Sequence, residues 1–192
     1  MSKKILVPLA EGFEEIEAIT IIDLLRRANL EVITASLTDN LEVKGGHNII
    51  VKADTILDKV INDDFDAISL AGGMGGMNNL KSDKRIIEKI QKMYKDKKLV
   101  SAVCASPIVL GEAKVLIGKY TCFPSCEKSI NMGEYIEKDL VVVDENVITS
   151  KGPATSMLFA LEIVKYLTCK NEELSNALLM PLLQRKKNNN LI

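Results

Sequence analysis

The sequence predicts a doubly wound α/β domain: a mostly parallel sheet with helices on both faces. Two observations carry that expectation. Short, uniformly apolar runs alternate with longer segments whose apolar residues recur at the helical period, the pattern of strands buried on both sides. Three of the apolar runs also end in small or acidic residues, "LAEGFEE", "LAGGMGG" and "AVCAS", and open sheets of this kind do their chemistry at strand carboxyl ends.

The elements follow in order. "KKILVPLA" reads as a buried strand, and "EEIEAITIIDLLRRA" as a helix with apolar positions 18, 21, 22, 25 and 28. "LEVITASL" is a second strand, and "LEVKGGHNIIVKAD" a hairpin turning at Gly45-Gly46. "TILDKVI" predicts a short helix, "DAISLAGG" a core strand, and "DKRIIEKIQKMYKDK" a charged amphipathic helix. "KLVSAVC" is the next strand, followed by a helix from Pro107. "DLVVVDENVITS" predicts a hairpin with its turn at Asp144-Glu145-Asn146, and "TSMLFALEIVKYLTCK" and "NEELSNALLMPLLQ" close the chain as helices. There is no linker or repeat, so a single domain over residues 1–184 is expected, with a polar tail over 185–192.

Composition narrows the function. A formal net charge of −1 argues against nucleic acid as the main ligand, because phosphate neutralisation needs a basic face. No apolar run approaches the ~20 residues of a membrane span, and the short apolar segment of "MSKKILVPLAEG" reads as a first strand rather than a signal peptide. Cys104, Cys122, Cys126 and Cys169 lack framework spacing and fit a reduced, cytoplasmic protein.

Cys104 stands where a strand turns into a helix, with the small residues Ala102 and Ser106 two positions to either side. Nucleophile elbows need such neighbours, and a helix beginning beyond the sulfur favours thiolate. The alternative is a buried structural thiol. Cys169, in a predicted amphipathic helix, is expected to be buried or inert. "GGMGG" breaks the G-x-G-x-x-G pattern at Asn78 and has no Walker lysine, leaving either a tight turn whose N–H groups form an anion or oxyanion site, or a plain turn. Glu14, Glu15 and Glu17 open the first helix, where acids ordinarily just complement the dipole. His47 is the one histidine, so a conventional triad is nearly excluded, and no metal-ligand pattern is present.

"ILVPLAEGFEEIEA", "LAGGMGGMNNL", "AVCASPIVL" and "ITSKGPATSMLFALEIV" together resemble the ThiJ/PfpI superfamily, in the branch of the Parkinson-associated protein deglycase and its small bacterial relatives, over roughly residues 3–167. The resemblance implies a flavodoxin-like (class I glutamine amidotransferase-like) sandwich, a homodimer, no cofactor and no metal. It places Cys104 on the family's oxidisable nucleophile and Glu17 on the protonated acid that hydrogen-bonds it. Gly73 and Ala105 fall on the oxyanion donors, with Glu14, Gly72, His47 and Phe123 on the substrate side. The implied activity is a glyoxalase or protein deglycase acting on methylglyoxal-type dicarbonyls or their early adducts, in carbonyl and oxidative stress defence. The other reading is a redox sensor or chaperone working through oxidation of Cys104. Two positions depart from the pattern: Phe123 stands where mammalian members carry histidine, and His47 where the family often has arginine.

Overall fold

The computed structural model describes residues 2–185. Strand β1 (Lys4–Leu9) is central, and its successive side chains leave the pleat in opposite directions: Ile5, Val7 and Leu9 enter one apolar cluster, Leu6 the other. Burial on both sides is why the run reads as continuously apolar. Helix α1 (Glu15–Arg27) buries Ala18, Ile21, Ile22, Leu24 and Leu25, and β2 (Glu31–Ser36) then pairs in parallel with β1.

The hairpin of β3 (Glu42–Lys44) and β4 (Ile50–Lys52) is antiparallel, as expected, but it turns over residues 46–48 rather than at Gly45-Gly46. Asn48 supplies the left-handed conformation, φ 67°, that a tight turn needs, so His47 sits at the tip. The helix expected over residues 55–61 is shorter. Thr55 and Ile56 are β-branched and pair with Ala35 and Ser36 as β5 (Thr55–Ile56), leaving one turn, α2 (Leu57–Val60).

After β6 (Ala67–Leu70), a helix not anticipated from the sequence, α3 (Met74–Ser82), opens directly from the glycine-rich loop. Gly and Asn are poor helix formers. Tertiary contact overrides propensity here, since the Gly76 N–H donates to the Gly12 carbonyl at 3.0 Å, and Met77 and Leu80 are buried. Helix α4 (Lys84–Lys95) and strand β7 (Leu99–Val103) follow, then α5 (Pro107–Glu112). Two short strands that the sequence reading missed, β8 (Lys119–Tyr120) and β9 (Glu134–Tyr135), pair with each other.

The predicted second hairpin is β10 (Val141–Asp144) and β11 (Val147–Ser150), joined through Glu145 and Asn146. Helix α6 (Ser156–Thr168) returns across the sheet. The expected final helix breaks at Leu179, φ 58°, into α7 (Asn171–Ala177) and α8 (Met180–Arg185). The expected tail lies outside the described residues except for Arg185.

The seven-stranded sheet runs β10-β11-β7-β6-β1-β2-β5, parallel except for β10. Helices α1 and α6 cover one face, and α3, α4 and α5 the other. From β1 the chain winds outward through β2 and β5, then returns to the other side of β1 as β6. That reversal opens a crevice beyond the carboxyl ends of β1 and β6.

Candidate active site

Three chain segments meet at that crevice. Cys104 follows β7 with φ 64°, a positive value that a non-glycine residue holds only where its surroundings enforce it. Its N–H donates to the Ser150 carbonyl at 2.9 Å, and its own carbonyl accepts the Phe123 N–H at 2.8 Å. The Ser106 hydroxyl donates to the Ala71 carbonyl at 2.6 Å, tying the elbow to the end of β6. Ala102 and Ser106 are completely buried, which fulfils the size rule read from the sequence.

Glu17 projects from α1 into the same space with no solvent exposure. Its Oε2 accepts the Gly72 N–H at 2.7 Å, Oε1 has no hydrogen-bond partner, and the carboxyl group adjoins the Cys104 thiol. A Cβ on Gly72 would lie 2.6 Å from both the Cys104 Cβ and Glu17 Oε2, so only glycine lets the acid and the thiol meet. Gly73, at φ 86°, turns its N–H towards the sulfur, as Ala105 does from the other side.

Burial dominates the electrostatics. It pushes the Glu17 carboxyl up to about 7, helped by the charge of Glu14 and opposed by the Gly72 N–H and the Cys104 contact. It pushes the Cys104 thiol up to about 12, with the Glu17 carboxylate adding to the rise and the Gly73 and Ala105 N–H groups opposing it. The expectation that the helix start favours thiolate is therefore corrected: α5 has six residues, and desolvation outweighs its field. Between those two values the pair holds a single proton, and Cys104 is a thiolate only when Glu17 carries it.

The hairpin closes against the outer side of this centre. The His47 N–H donates to Glu15 Oε1 at 2.6 Å, and His47 Nδ1 lies 2.8 Å from Glu15 Oε2 and 3.8 Å from Glu14 Oε1. Ile49 N–H also reaches Glu15, at 3.4 Å. The His47 side chain is 68% exposed and makes no hydrogen bond to Cys104 or Glu17. Glu14, Glu15 and His47 bring three donor atoms within 4.8 Å of one another, a grouping the sequence reading, which expected no metal ligands, did not anticipate.

Of the eight anticipated site residues, Cys104, Glu17, Gly72, Gly73 and Ala105 form one cluster, and Glu14 adjoins it through its N–H to the Gly72 carbonyl at 2.9 Å. Phe123 is joined to Cys104 by its backbone, while its half-exposed ring lies over Gly152. His47 stands one carboxylate away. The residue missed was Glu15, buried at 5% exposure although read as a dipole acid. Its signal was present: positions 15, 18, 22 and 25 share one helical stripe, so Glu15 continues the buried face. Cys122 is buried, and Cys169 is exposed at the left-handed end of α6, so of the expectation that Cys169 is buried or inert the first alternative fails.

The fold is thus an α/β sheet that brings a cysteine elbow and a buried glutamate together at its switch point. The chain belongs to the DJ-1/PfpI family, whose sequence profile matches residues 3–166. It is 38% identical over 184 residues to protein dj-1beta of Drosophila melanogaster, covering 94% of this chain and 98% of that one. The crystal structure of Drosophila DJ-1beta superposes with a TM-score of 0.90 at 37% identity, over 93% of this chain and 98% of that one. Protein DJ-1 homolog B of Arabidopsis thaliana is 39% identical over 181 residues, 92% of this chain but only 41% of that protein's length. DJ-1 of Toxoplasma gondii, solved in an oxidized form, matches at 34% identity with a TM-score of 0.88, over 93% and 98% of the two chains. Among the described residues no helix is long and apolar enough to cross a membrane.

Proposed function

We propose that this chain is a cofactor-independent glyoxalase or deglycase that uses Cys104 as nucleophile on methylglyoxal-type dicarbonyls or their early adducts. The observation that carries the reading is the contact between the Cys104 thiol and a Glu17 carboxyl raised to about 7. A catalytic acid–base group works best with a pKa near the operating pH.

The steps follow from those groups. Glu17 takes the Cys104 proton, and the thiolate attacks the aldehyde carbon to form a hemithioacetal. The N–H groups of Gly73 and Ala105 hold the developing oxyanion. Glu17 gives its proton to that oxygen and, again a carboxylate, moves a proton from the attacked carbon to the neighbouring one through an enediol, converting the adduct to a thioester of lactate. Water cleaves the thioester, returning the thiol, so one methylglyoxal and one water become one lactate. Purified protein should form lactate from methylglyoxal, and Cys104→Ser should abolish it; equal rates in both would overturn the reading.

A second reading, a redox sensor or chaperone, draws support from the same contact. Two equivalents of peroxide convert a thiol to a sulfinate with release of two waters. The Glu17 carboxyl and the two N–H groups supply three donors for such an anion. Absence of lactate formation together with stoichiometric Cys104 sulfinate would favour it.

A homodimer is part of the proposal. Ile16 and Ile19 on the outer side of α1, with Ile49 and Ile50 on the hairpin clasped to its start, are exposed apolar side chains of the kind that association covers. Sedimentation that gave only monomer would remove this part. Four free cysteines fit a reducing cytoplasm.

A further inference from the structure

We propose that His47, acting through Glu14, tunes the proton balance of the Cys104–Glu17 pair, so that an imidazole on the hairpin sets the pH at which the buried acid ionises. The inference rests on reading that pair as the reactive centre, and it deepens that reading by adding a regulator.

The connection runs through one glycine. Glu17 Oε2 accepts the Gly72 N–H at 2.7 Å, and the Gly72 carbonyl accepts the Glu14 N–H at 2.9 Å. Glu14 and Glu17 therefore grip the same residue from its two sides. The Glu14 side chain is 16% exposed, so water screens its charge only weakly, and it opposes ionisation of Glu17. His47 Nδ1 stands 3.8 Å from Glu14 Oε1, close enough for an imidazolium to offset that charge.

The groups facing this relay come from three elements: Glu14 and Glu15 at the start of α1, the Cys104 thiol after β7, and His47 on the hairpin. The Gly72, Gly73 and Ala105 N–H groups complete the surroundings without charge. A cation site is the weaker account of the same cluster. Both Glu15 oxygens are already taken by His47 and Ile49, and the start of a helix repels positive charge.

The sign is fixed by the geometry. Ionised Glu14 keeps the proton on Glu17, and protonated His47 counters Glu14. The hydrogen bond to Glu15, with the charges of Glu14 and Glu15, raises the imidazole pKa, so His47 holds its proton more firmly than a free imidazole does. As pH rises and His47 loses its charge, Glu14 acts unopposed and Glu17 retains its proton longer. Glu17 must shed that proton before it can accept the one that Cys104 gives up to become a thiolate.

The test reads Glu17 directly, without substrate. In full-length protein carrying 13C at glutamate Cδ, the Glu17 signal, assigned by its loss in Glu17→Gln, is followed across pH. Glu14→Gln is expected to lower its midpoint by about half a pH unit, and His47→Gln, which keeps a hydrogen-bonding side chain without charge, to raise it by a similar amount. His47→Arg, a permanent cation, should hold the midpoint at or below the wild-type value. Opposite shifts from adjacent uncharged substitutions, with rescue by arginine, are not produced by loosening the hairpin. A midpoint that stays in place in His47→Gln, moves the same way as in Glu14→Gln, or is not restored by His47→Arg overturns the proposal. Because no turnover is involved, failure of lactate formation would leave this result standing, and the reverse holds too.

Discussion

Glu17 and Cys104 meet across Gly72, at a separation that leaves no room for a Cβ between them: one built there lies 2.6 Å from Glu17 Oε2 and from the Cys104 Cβ, and 3.1 Å from the sulfur. The acid comes from the helix after β1, the glycine from the end of β6 and the thiol from the end of β7. Gly72→Ala should therefore separate the pair. Lactate formation is expected to fall by at least tenfold, and stability by about 1–3 kcal/mol. Normal turnover and an unchanged denaturation midpoint in this variant would show that the contact is not needed.

The shared proton predicts how Cys104 alkylation varies with pH. Below about 7 the pair holds two protons and the sulfur is a thiol; between about 7 and about 12 it holds one, which Glu17 can carry. The rate of iodoacetamide labelling at Cys104 should rise through pH 7 to a plateau, then rise again only in strong alkali. In Glu17→Gln the limb near neutrality should vanish. A wild-type rate that climbs steadily from pH 6 to 10 with no plateau would mean that the acid and the thiol titrate independently.

Stability should carry the same signature. Glu17 has a folded pKa of about 7 against an ordinary 4.5, so the native state binds the extra proton between those values. Its contribution is fully present below 4.5 and is lost as pH rises through about 7. The loss should amount to ~3 kcal/mol at most, read as a falling urea midpoint. Other acids titrate in the lower part of that window, so the informative quantity is the difference between wild type and Glu17→Gln, which should grow as pH increases from 5 to 8. A constant difference would place the Glu17 titration elsewhere.

Thiol accessibility orders the four cysteines. Cys169 is exposed, Cys104 and Cys126 are half-buried, and Cys122 is buried. A bulky maleimide should label Cys169 first and Cys122 only on unfolding, as mass mapping would record. Stoichiometric peroxide should oxidise Cys104 ahead of Cys126, because Cys104 has two N–H donors for an oxidised sulfur, whereas Cys126 has only the opposing charge of Glu127 beside it. Cys126 oxidised first would contradict this.

Loss of the acid should spare the fold and stop the chemistry. Glu17→Gln keeps the shape and a donor but cannot move a proton, so methylglyoxal turnover should fall by about 10²–10⁴ with circular dichroism unchanged. Full turnover in that variant would remove Glu17 from the mechanism.

What the sequence determined by itself was everything governed by local pattern. The periods of the apolar residues marked β1, β2, β6, β7, α1, α4 and α6, and small residues around Cys104 marked the elbow. The motifs around Glu17, Gly73 and Cys104 pointed to the family and to the residues that meet at the crevice. What tertiary structure alone decided was contact between segments distant in the chain. Helix α3 forms from Gly- and Asn-rich sequence because the loop after β1 packs against it, and β5 replaces a helical turn because β2 offers an edge. Glu15 is buried because a hairpin thirty-two positions later supplies its hydrogen bonds. The high pKa of Cys104 belongs to this group as well: a thiol at the start of a helix reads as acidic until the walls around it exclude water, and desolvation in a packed interior outweighs the field of a short helix.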